Sequence, residues 1–358
     1  ITAICDRNAA AAHPLAEAHG AQVFSDLSDL IASGACDAVH ILTPPDLHRD
    51  IAVECLSGGL HVLVEKPVGL SVAEVEEIEA AAQSSGKSFI AGHNFLGLPR
   101  YLRLKDQVAT GTLGRISSVH ITWALPLSPL RSGPYGLWLL REAKNLLLEL
   151  GPHPFSFAVD LLGPLEIRAL ETGQPVTLPG GETRPQSWRI LARAGDVDVS
   201  FHLSLVETTD DRSVTVRGST GMARLDYAAD TAVTSRDNTA DLVLNPLRKS
   251  LGQAGGHLRE GLRNASLQLA SLNRKSPYGQ SFRGMVSTVY ADLAAGRPVD
   301  ARFSGASARM VMQGIEDTLA RLPAQPAPAI PQGTPKPRVM VIGGTGYIGR
   351  NLTRALVA

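Results

Sequence analysis

Residues 60–67 read LHVLVEKP, and this stretch decides the fold class of the chain. Its apolar part, 60–64, is short, follows two glycines and is typical of a strand buried in a parallel sheet. In an open α/β sheet, ligands bind beyond the carboxyl ends of the strands. Glu65 and Lys66 stand at that position. We therefore expect Lys66 to donate to a substrate oxygen or a cofactor hydroxyl, with Glu65 beside its charge; the alternative is a solvated strand end.

Short apolar runs alternate with helical stretches on both sides of this strand, over residues 1–92. The pattern predicts strands and helices in turn at 1–5, 9–19, 23–24, 27–32, 38–42, 47–57, 60–64, 72–84 and 88–91. Such alternation favours an α/β fold with a doubly wound, Rossmann-type parallel sheet. Because the region opens on a strand that ends in Asp6, we expect the fold's first strand and glycine-rich turn to be missing or supplied by the C-terminus.

The pattern changes after residue 92. Runs that alternate apolar and polar residues predict strands at 116–125, 167–173, 187–194, 197–206, 213–218 and 222–227, with helices at 145–162, 278–295 and 304–321. They indicate an α+β domain over 93–322, built on a large, open, mainly antiparallel sheet. Residues 323–337 form a proline-rich linker. Residues 338–358 read as the first strand, glycine-rich turn and helix of a second dinucleotide-binding domain.

The composition excludes several classes of partner. Lys and Arg number 34, as do Asp and Glu, so no overall charge attracts nucleic acid or an acidic membrane. No apolar run is long enough to cross a bilayer. Three widely spaced cysteines indicate a reducing compartment, and we expect a cytoplasmic protein with no metal site.

Three motifs carry a resemblance to a known family: TPPDLH at 43–48, VLVEKP at 62–67 and ELGPH at 149–153. Over about residues 1–322 the chain resembles the glucose-fructose oxidoreductase, inositol dehydrogenase and MocA family. The resemblance implies an N-terminal domain that binds NAD or NADP. It also implies a C-terminal domain whose open sheet carries the substrate site and packs in homo-oligomers. The implied reaction is reversible hydride transfer between nicotinamide and a hydroxyl-bearing carbon of a sugar, sugar nucleotide or cyclitol.

Several residues are candidates for the cofactor site. Asp6 ends its strand where a dinucleotide fold places an acid on the adenosine ribose, which favours NAD, although a helix cap is the alternative. Arg7 could pair with a phosphate, so NADP stays open. The resemblance places the cofactor against the rigid turn and the histidine that follows it. These residues are Thr43, Pro44, Pro45 and His48, and Asn94 is a further cleft candidate.

The catalytic candidates are Lys66, His153 and Glu149. In the family, Lys66 would lie by the reacting oxygen, where an ammonium stabilises alkoxide charge, and the position of His153 matches that of an acid/base group. Glu149 stands four residues before His153 and could orient its imidazole if one helix carries both. The chain departs from the family at Glu149 and Ser156, where aspartates are usual, which puts catalysis and a polyol substrate in doubt.

Two alternatives stay open. One is a catalytically weak module that binds dinucleotide or sugar and is fused to an epimerase-like domain. The fusion is suggested by GGTGYIG at 343–349, where Gly343, Gly346 and Gly349 resemble the start of an extended short-chain dehydrogenase. The other is a circular permutant, in which 338–357 supplies the first strand and turn of the N-terminal fold.

Overall fold

The computed structural model describes residues 1–173, 175–178, 181–207, 209–236, 244–272 and 275–322, together with residues 350 and 352. The linker and most of 338–358, including Gly343, Gly346 and Gly349, lie outside the described residues. What the sequence predicts for them stays a prediction. Among the helices that are described, none has the length and apolarity to cross a membrane.

Strands and helices alternate through the N-terminal region. They are β1 (Ala3–Cys5), α1 (Ala9–His19), β2 (Gln22–Phe24), α2 (Leu27–Ser33), β3 (Ala38–Ile41), α3 (His48–Ser57), β4 (His61–Val64), α4 (Val72–Ser85) and β5 (Phe89–Ala91). Their pairs β1–β2, β3–β4 and β4–β5 are parallel, which confirms the Rossmann-type arrangement. A 3₁₀ turn, Pro45–Leu47, leads from β3 into α3.

These parallel strands fall into two sheets. β1 pairs with β2, and β3, β4 and β5 form a second sheet, but no strand within the described residues joins β1 to β3. In a doubly wound sheet of order 3-2-1-4-5-6, that position belongs to the first strand, whose turn holds the pyrophosphate. The expectation that residues 1–92 lack this strand, or receive it from the C-terminus, stays a prediction.

A seven-stranded sheet dominates the C-terminal region. The strands after β5 are β6 (Ile116–Ala124), β7 (Glu166–Thr172), β8 (Pro175–Thr177), β9 (Thr183–Pro185), β10 (Ser187–Ala194), β11 (Val197–Ser204), β12 (Asp211–Gly218), β13 (Gly221–Asp226) and β14 (Thr231–Arg236). The large sheet has the order β14-β13-β12-β6-β11-β10-β7. Only its β6–β11 pair is parallel among the described pairs, so the sheet is mainly antiparallel, as predicted.

The strands of this sheet alternate buried and exposed side chains, as β10 does along its whole length. Helices cover the face that carries the buried side chains. The helices after α4 are α5 (Pro99–Ala109), α6 (Ser128–Ser132), α7 (Trp138–Arg141), α8 (Ala143–Leu150), α9 (Pro152–Leu162), α10 (Leu244–Ala270), α11 (Pro277–Ala294) and α12 (Gly305–Leu319). Phe155 of α9 stacks on Phe201 of β11 with ring centroids 4.4 Å apart. That contact joins the helical layer to the sheet.

The structure corrects the predicted helices twice. The single helix predicted over 145–162 is two helices, α8 and α9, because Pro152 starts a new helix directly after Gly151. The 27-residue helix α10 was not predicted at all. It packs against β14, the edge strand of the large sheet.

Candidate active site

Lys66 and Glu149 meet beyond the carboxyl end of β4. The Lys66 Nζ donates to the Glu149 Oε1 in a short contact and to the Glu149 backbone oxygen at 3.3 Å. The side chains are 16% and 30% exposed, so the pair is partly shielded from water. Lys66 comes from the N-terminal region and Glu149 from α8. The site is therefore assembled from both halves of the chain.

Glu65 has a different role from the one the sequence suggests. The ion pair of Lys66 is with Glu149, whereas the Glu65 Oε2 accepts the backbone N–H of Lys66 at 2.8 Å. Burial raises the pKa of the Glu65 carboxyl, while that N–H and the charges on Lys66 and His48 offset part of the rise. Glu65 thus fixes the backbone at Lys66.

His153 lies in the first turn of α9 and is held by aromatic rings. Its imidazole stacks on Trp123 of β6, with centroids 5.0 Å apart and planes 5° apart, and meets Phe95 edge-on at 5.0 Å. Burial lowers the pKa of His153 well below its usual value, and the neighbouring Lys66 lowers it further. The imidazole is therefore neutral near pH 7 and can accept a proton.

The predicted contact between Glu149 and His153 is not what holds the imidazole. The Glu149 carboxylate is engaged by Lys66, and the two residues lie on separate helices. Ser156, where the family often has an aspartate, is buried and donates its hydroxyl to the His153 backbone oxygen at 2.9 Å. Stacking on Trp123, rather than a carboxylate, orients this ring.

Two further residues of this site escaped the sequence argument. His93 follows β5 and is 3% exposed, its Nδ1 has no hydrogen-bond partner among the described residues, and burial lowers its pKa to about 4. Arg212 of β12 lies over the Trp123 ring at 5.5 Å and makes two hydrogen bonds to Asp210. The position of His93, at a strand end adjacent to β4, is a signal that could have identified it.

His48 connects two of the turns that follow the parallel strands. It is 1% exposed; its Nδ1 lies 2.8 Å from the Pro67 backbone oxygen and its Nε2 lies 2.8 Å from the Thr43 backbone oxygen. Both partners are carbonyl oxygens, which accept hydrogen bonds, and the imidazole ring lies between them. His48 thereby ties the turn after β3 to the turn after β4.

The residues expected at the adenosine end are exposed at strand ends. Asp6 follows β1, and its Oδ1 accepts the backbone N–H of Asn8 at 2.7 Å, so it also fixes the entry to α1. Arg7 is exposed beside it, and Thr43 and Pro44 form an exposed turn after β3 that Pro45 continues. An acid after β1, a rigid turn after β3 and a cation after β4 fit the ribose and nicotinamide ends of a dinucleotide.

Asn94 does not lie in the open cleft where the sequence predicts it. The Asn94 side chain is 2% exposed and its Nδ2 donates to the Ser281 Oγ of α11 at 2.8 Å, so it faces α11 rather than an open cleft. Tyr101 is fully buried and donates to Asp160 of α9. Within the described residues, no cluster of three or more His, Cys, Asp or Glu side chains could hold a metal ion.

Sequence profiles of one family match more than half of the chain. The profile of an oxidoreductase family with an NAD-binding Rossmann fold matches residues 1–93, and that of the GFO/IDH/MocA C-terminal domain matches residues 101–224.

Curated relatives are similar over part of their length. A scyllo-inositol 2-dehydrogenase (NADP(+)), IolU, from Bacillus subtilis is 32% identical over 173 residues, which are 47% of this chain and 53% of the relative. A myo-inositol 2-dehydrogenase from Thermotoga maritima is 24% identical over 62% of this chain and 65% of its own length. The chain thus spans about half to two thirds of these relatives.

Solved structures share the fold across most of the chain. The WlbA dehydrogenase from Bordetella pertussis, in complex with NADH and UDP-GlcNAcA, superposes with a TM-score of 0.66 at 19% identity over 90% of this chain and 87% of its own. A levoglucosan dehydrogenase, in complex with NADH and levoglucosan, gives a TM-score of 0.69 at 17% identity over 89% and 87% of the two chains. With both family profiles matched and the fold shared, the chain belongs to the Gfo/Idh/MocA family of oxidoreductases.

Proposed function

We propose that this chain carries an NAD(P)-dependent oxidoreductase site that acts on a hydroxyl-bearing carbon of a sugar, sugar nucleotide or cyclitol. The observation that carries the proposal is the Lys66–Glu149 pair next to a neutral His153. Similarity to dehydrogenases named for inositols and levoglucosan supports the substrate class.

Each of the three side chains has one task in this reaction. An ammonium has three donor hydrogens, and two of those on Lys66 go to Glu149. The third is left for the reacting oxygen, where it would stabilise alkoxide charge as the hydride leaves. His153, held neutral by burial, would take the hydroxyl proton. Glu149 would keep the Lys66 ammonium aimed at the substrate.

The cofactor would supply the hydride-accepting nicotinamide, and residues of the N-terminal region would hold it. Asp6 would bind the adenosine ribose diol, which favours NAD because a 2′-phosphate would be repelled, whereas Arg7 would favour NADP. Thr43, Pro44 and Pro45 would line the cleft without mobile side chains, and His48 would hold that turn in place. The pyrophosphate turn would come from outside the described residues.

The strength of the same ion pair favours a second candidate function, a binding module with little catalysis. Lys66 can polarise a substrate only if Glu149 leaves one donor hydrogen free, and the glutamate holds it by both its carboxylate and its backbone oxygen. If substrate cannot compete for the ammonium, the site would bind dinucleotide or sugar without turnover.

Hydride transfer can be tested by following reduced nicotinamide absorbance with a panel of polyols, aldoses and UDP-sugars and either NAD or NADP. We expect turnover that Lys66→Met lowers by about 100-fold or more, since one preorganised charge donor is worth that much. Lys87→Met is the matched control, because Lys87 precedes β5 and lies at the amino end of the parallel strands, away from the carboxyl end that carries Lys66. Wild-type turnover in Lys66→Met would contradict the proposal, and NADH binding without turnover would support the second candidate.

We also keep two wider expectations as proposals. The exposed face of the large sheet, where Leu191 is 54% exposed, would pack in a homo-oligomer. Light scattering of the wild type and of Leu191→Arg would test this, with a lower mass expected for the variant. The three cysteines are free, as a cytoplasmic location would require.

A further inference from the structure

Helix α10 is fixed to the body of the protein along one face. A Cβ on Gly256 would lie 3.1 Å from the Val233 side chain of β14, so helix and strand approach closely there. The Asn264 Nδ2 donates to the Ala229 backbone oxygen at 2.6 Å. The buried Glu260 accepts from the Arg100 Nε at 2.7 Å. These contacts hold the helix in one rotational setting.

The opposite face of α10 is a stripe of leucines directed at solvent. Five leucines of the helix are between 56% and 78% exposed: Leu247, Leu251, Leu258, Leu262 and Leu269. They are spaced by four and seven residues in turn, which gives a repeat of eleven. At about 100° per residue this stripe lies on the far side of the helix from Glu260. A contiguous apolar surface of this kind marks an interaction site.

The charges around the stripe have one sign. Arg248 and Arg259 are exposed and eleven residues apart, so they share one flank of the leucine stripe. The one acidic residue of 244–272 is Glu260, which faces inward and is paired with Arg100. The helix therefore presents leucines and cations without an exposed carboxylate.

We infer that α10 docks on the surface of an anionic phospholipid membrane, with its axis in the plane of the headgroups. An amphipathic helix with leucines on one face and Arg or Lys beside them binds such an interface in two ways: it buries the leucines, and its cations are attracted to the anionic lipids. An antiparallel second copy of this chain is disfavoured, because it would bring Arg248 and Arg259 of the two copies together. A repeat of eleven, about 3.67 residues per turn, also does not match the repeat of seven that a left-handed coiled coil needs.

The inference departs from the expectation of no membrane partner, and it does so for a physical reason. The overall charge of the chain is balanced. The charge of a membrane surface, however, acts over only roughly 10 Å, so it attracts the charges on the face of the protein that lies against it. Membrane docking by α10 is independent of the proposed function, because neither the leucine stripe nor its flanking cations belong to the Lys66 site. Peripheral docking also needs no membrane-spanning helix.

Vesicle flotation of the full 358-residue chain tests the inference. We expect binding to vesicles of equal phosphatidylcholine and phosphatidylglycerol, much weaker binding to phosphatidylcholine alone, and loss at high salt. The triple variant L251Q/L258Q/L262Q should bind the anionic vesicles on the order of 1,000-fold more weakly, since burial of one leucine is worth about tenfold or more. The variant R248Q/R259Q should lose the preference for anionic lipid.

The matched control is L15Q/L102Q/L137Q, which changes three exposed leucines on α1, on α5 and just before α7. It should bind vesicles like the wild type. Unfolding curves of all variants check that the fold is retained. Absence of vesicle binding by the wild type would overturn the inference. So would a wild-type dimer that the α10 triple variant converts to a monomer, because the stripe would then be an interface between two copies.

Discussion

His48 provides the sharpest test of how the cofactor side of the site is held together. Its ring bonds the backbone oxygens of Thr43 and Pro67, each at 2.8 Å, in a position that is 1% exposed. A His48→Leu substitution removes both ring nitrogens and leaves the buried Pro67 oxygen and the part-buried Thr43 contact without a partner. At about 1–3 kcal/mol for each backbone oxygen left without its partner, the loss is about 2–6 kcal/mol. His48→Gln can restore one of the two bonds and should lose roughly half as much.

Urea unfolding of the full chain, followed by circular dichroism, measures these losses as shifts of the midpoint at constant slope. The matched control is His13→Leu, because His13 is exposed on α1, and it should change the stability by less than about 0.5 kcal/mol. A loss below about 1 kcal/mol for His48→Leu would refute the reasoning, as would equal losses for the leucine and glutamine variants. In either case the two contacts at His48 would not be acting as hydrogen bonds.

Three other predictions follow from single contacts. The folded-state pKa of His93 is about 4, below its usual 6.5. As the pH falls, the unfolded chain therefore takes up a proton at this histidine before the folded chain does. Stability should therefore fall by about 3 kcal/mol as the pH drops from 6.5 to 4. His93→Leu should remove that part of the loss in pH-dependent urea unfolding, and parallel curves for both proteins would contradict it. A Cβ on Gly284 would lie 2.0 Å from a backbone oxygen, so Gly284→Ala should lower stability by about 2 kcal/mol or more. Gly252→Ala, in open space on α10, should raise it by up to about 1 kcal/mol, and equal effects in thermal unfolding would refute the packing argument. Glu149→Gln should weaken the hold on Lys66 and lower kcat more than it raises KM in steady-state assays, whereas an effect on KM alone would mean that Glu149 only helps binding.

Local patterns were enough to predict most of the N-terminal fold. The apolar run before Glu65 is a strand because consecutive β-branched and leucine side chains suit a strand buried on both faces. Ser71 begins α4, where its hydroxyl accepts the Glu74 N–H at 3.2 Å, and Gly86 ends it in a left-handed conformation. These signals lie within a few residues of the feature they determine, so a single sequence reveals them.

Two kinds of feature could not be predicted from the sequence: those that depend on long-range contacts, and those in which packing outweighs an unfavourable helix propensity. The partner of Lys66 lies 83 residues away, and no local rule selects Glu149 over Glu65. Helix α10 contains Pro246 and four glycines, each glycine unfavourable by about 1 kcal/mol, so propensity argues against a helix there. Contacts such as that of Gly256 with Val233 require a small residue and favour the helix only once the sheet has formed.

Among the described residues, the interruption between β1 and β3 leaves sheet edges that matter in concentrated solution. A continuous sheet has two edges, whereas an interrupted one has four, and each edge presents backbone donors and acceptors that can template another strand. Each of β1 and β3 has one edge that pairs with no strand among the described residues. If an extended segment of another chain paired there, the oligomer distribution of this protein would depend on its concentration.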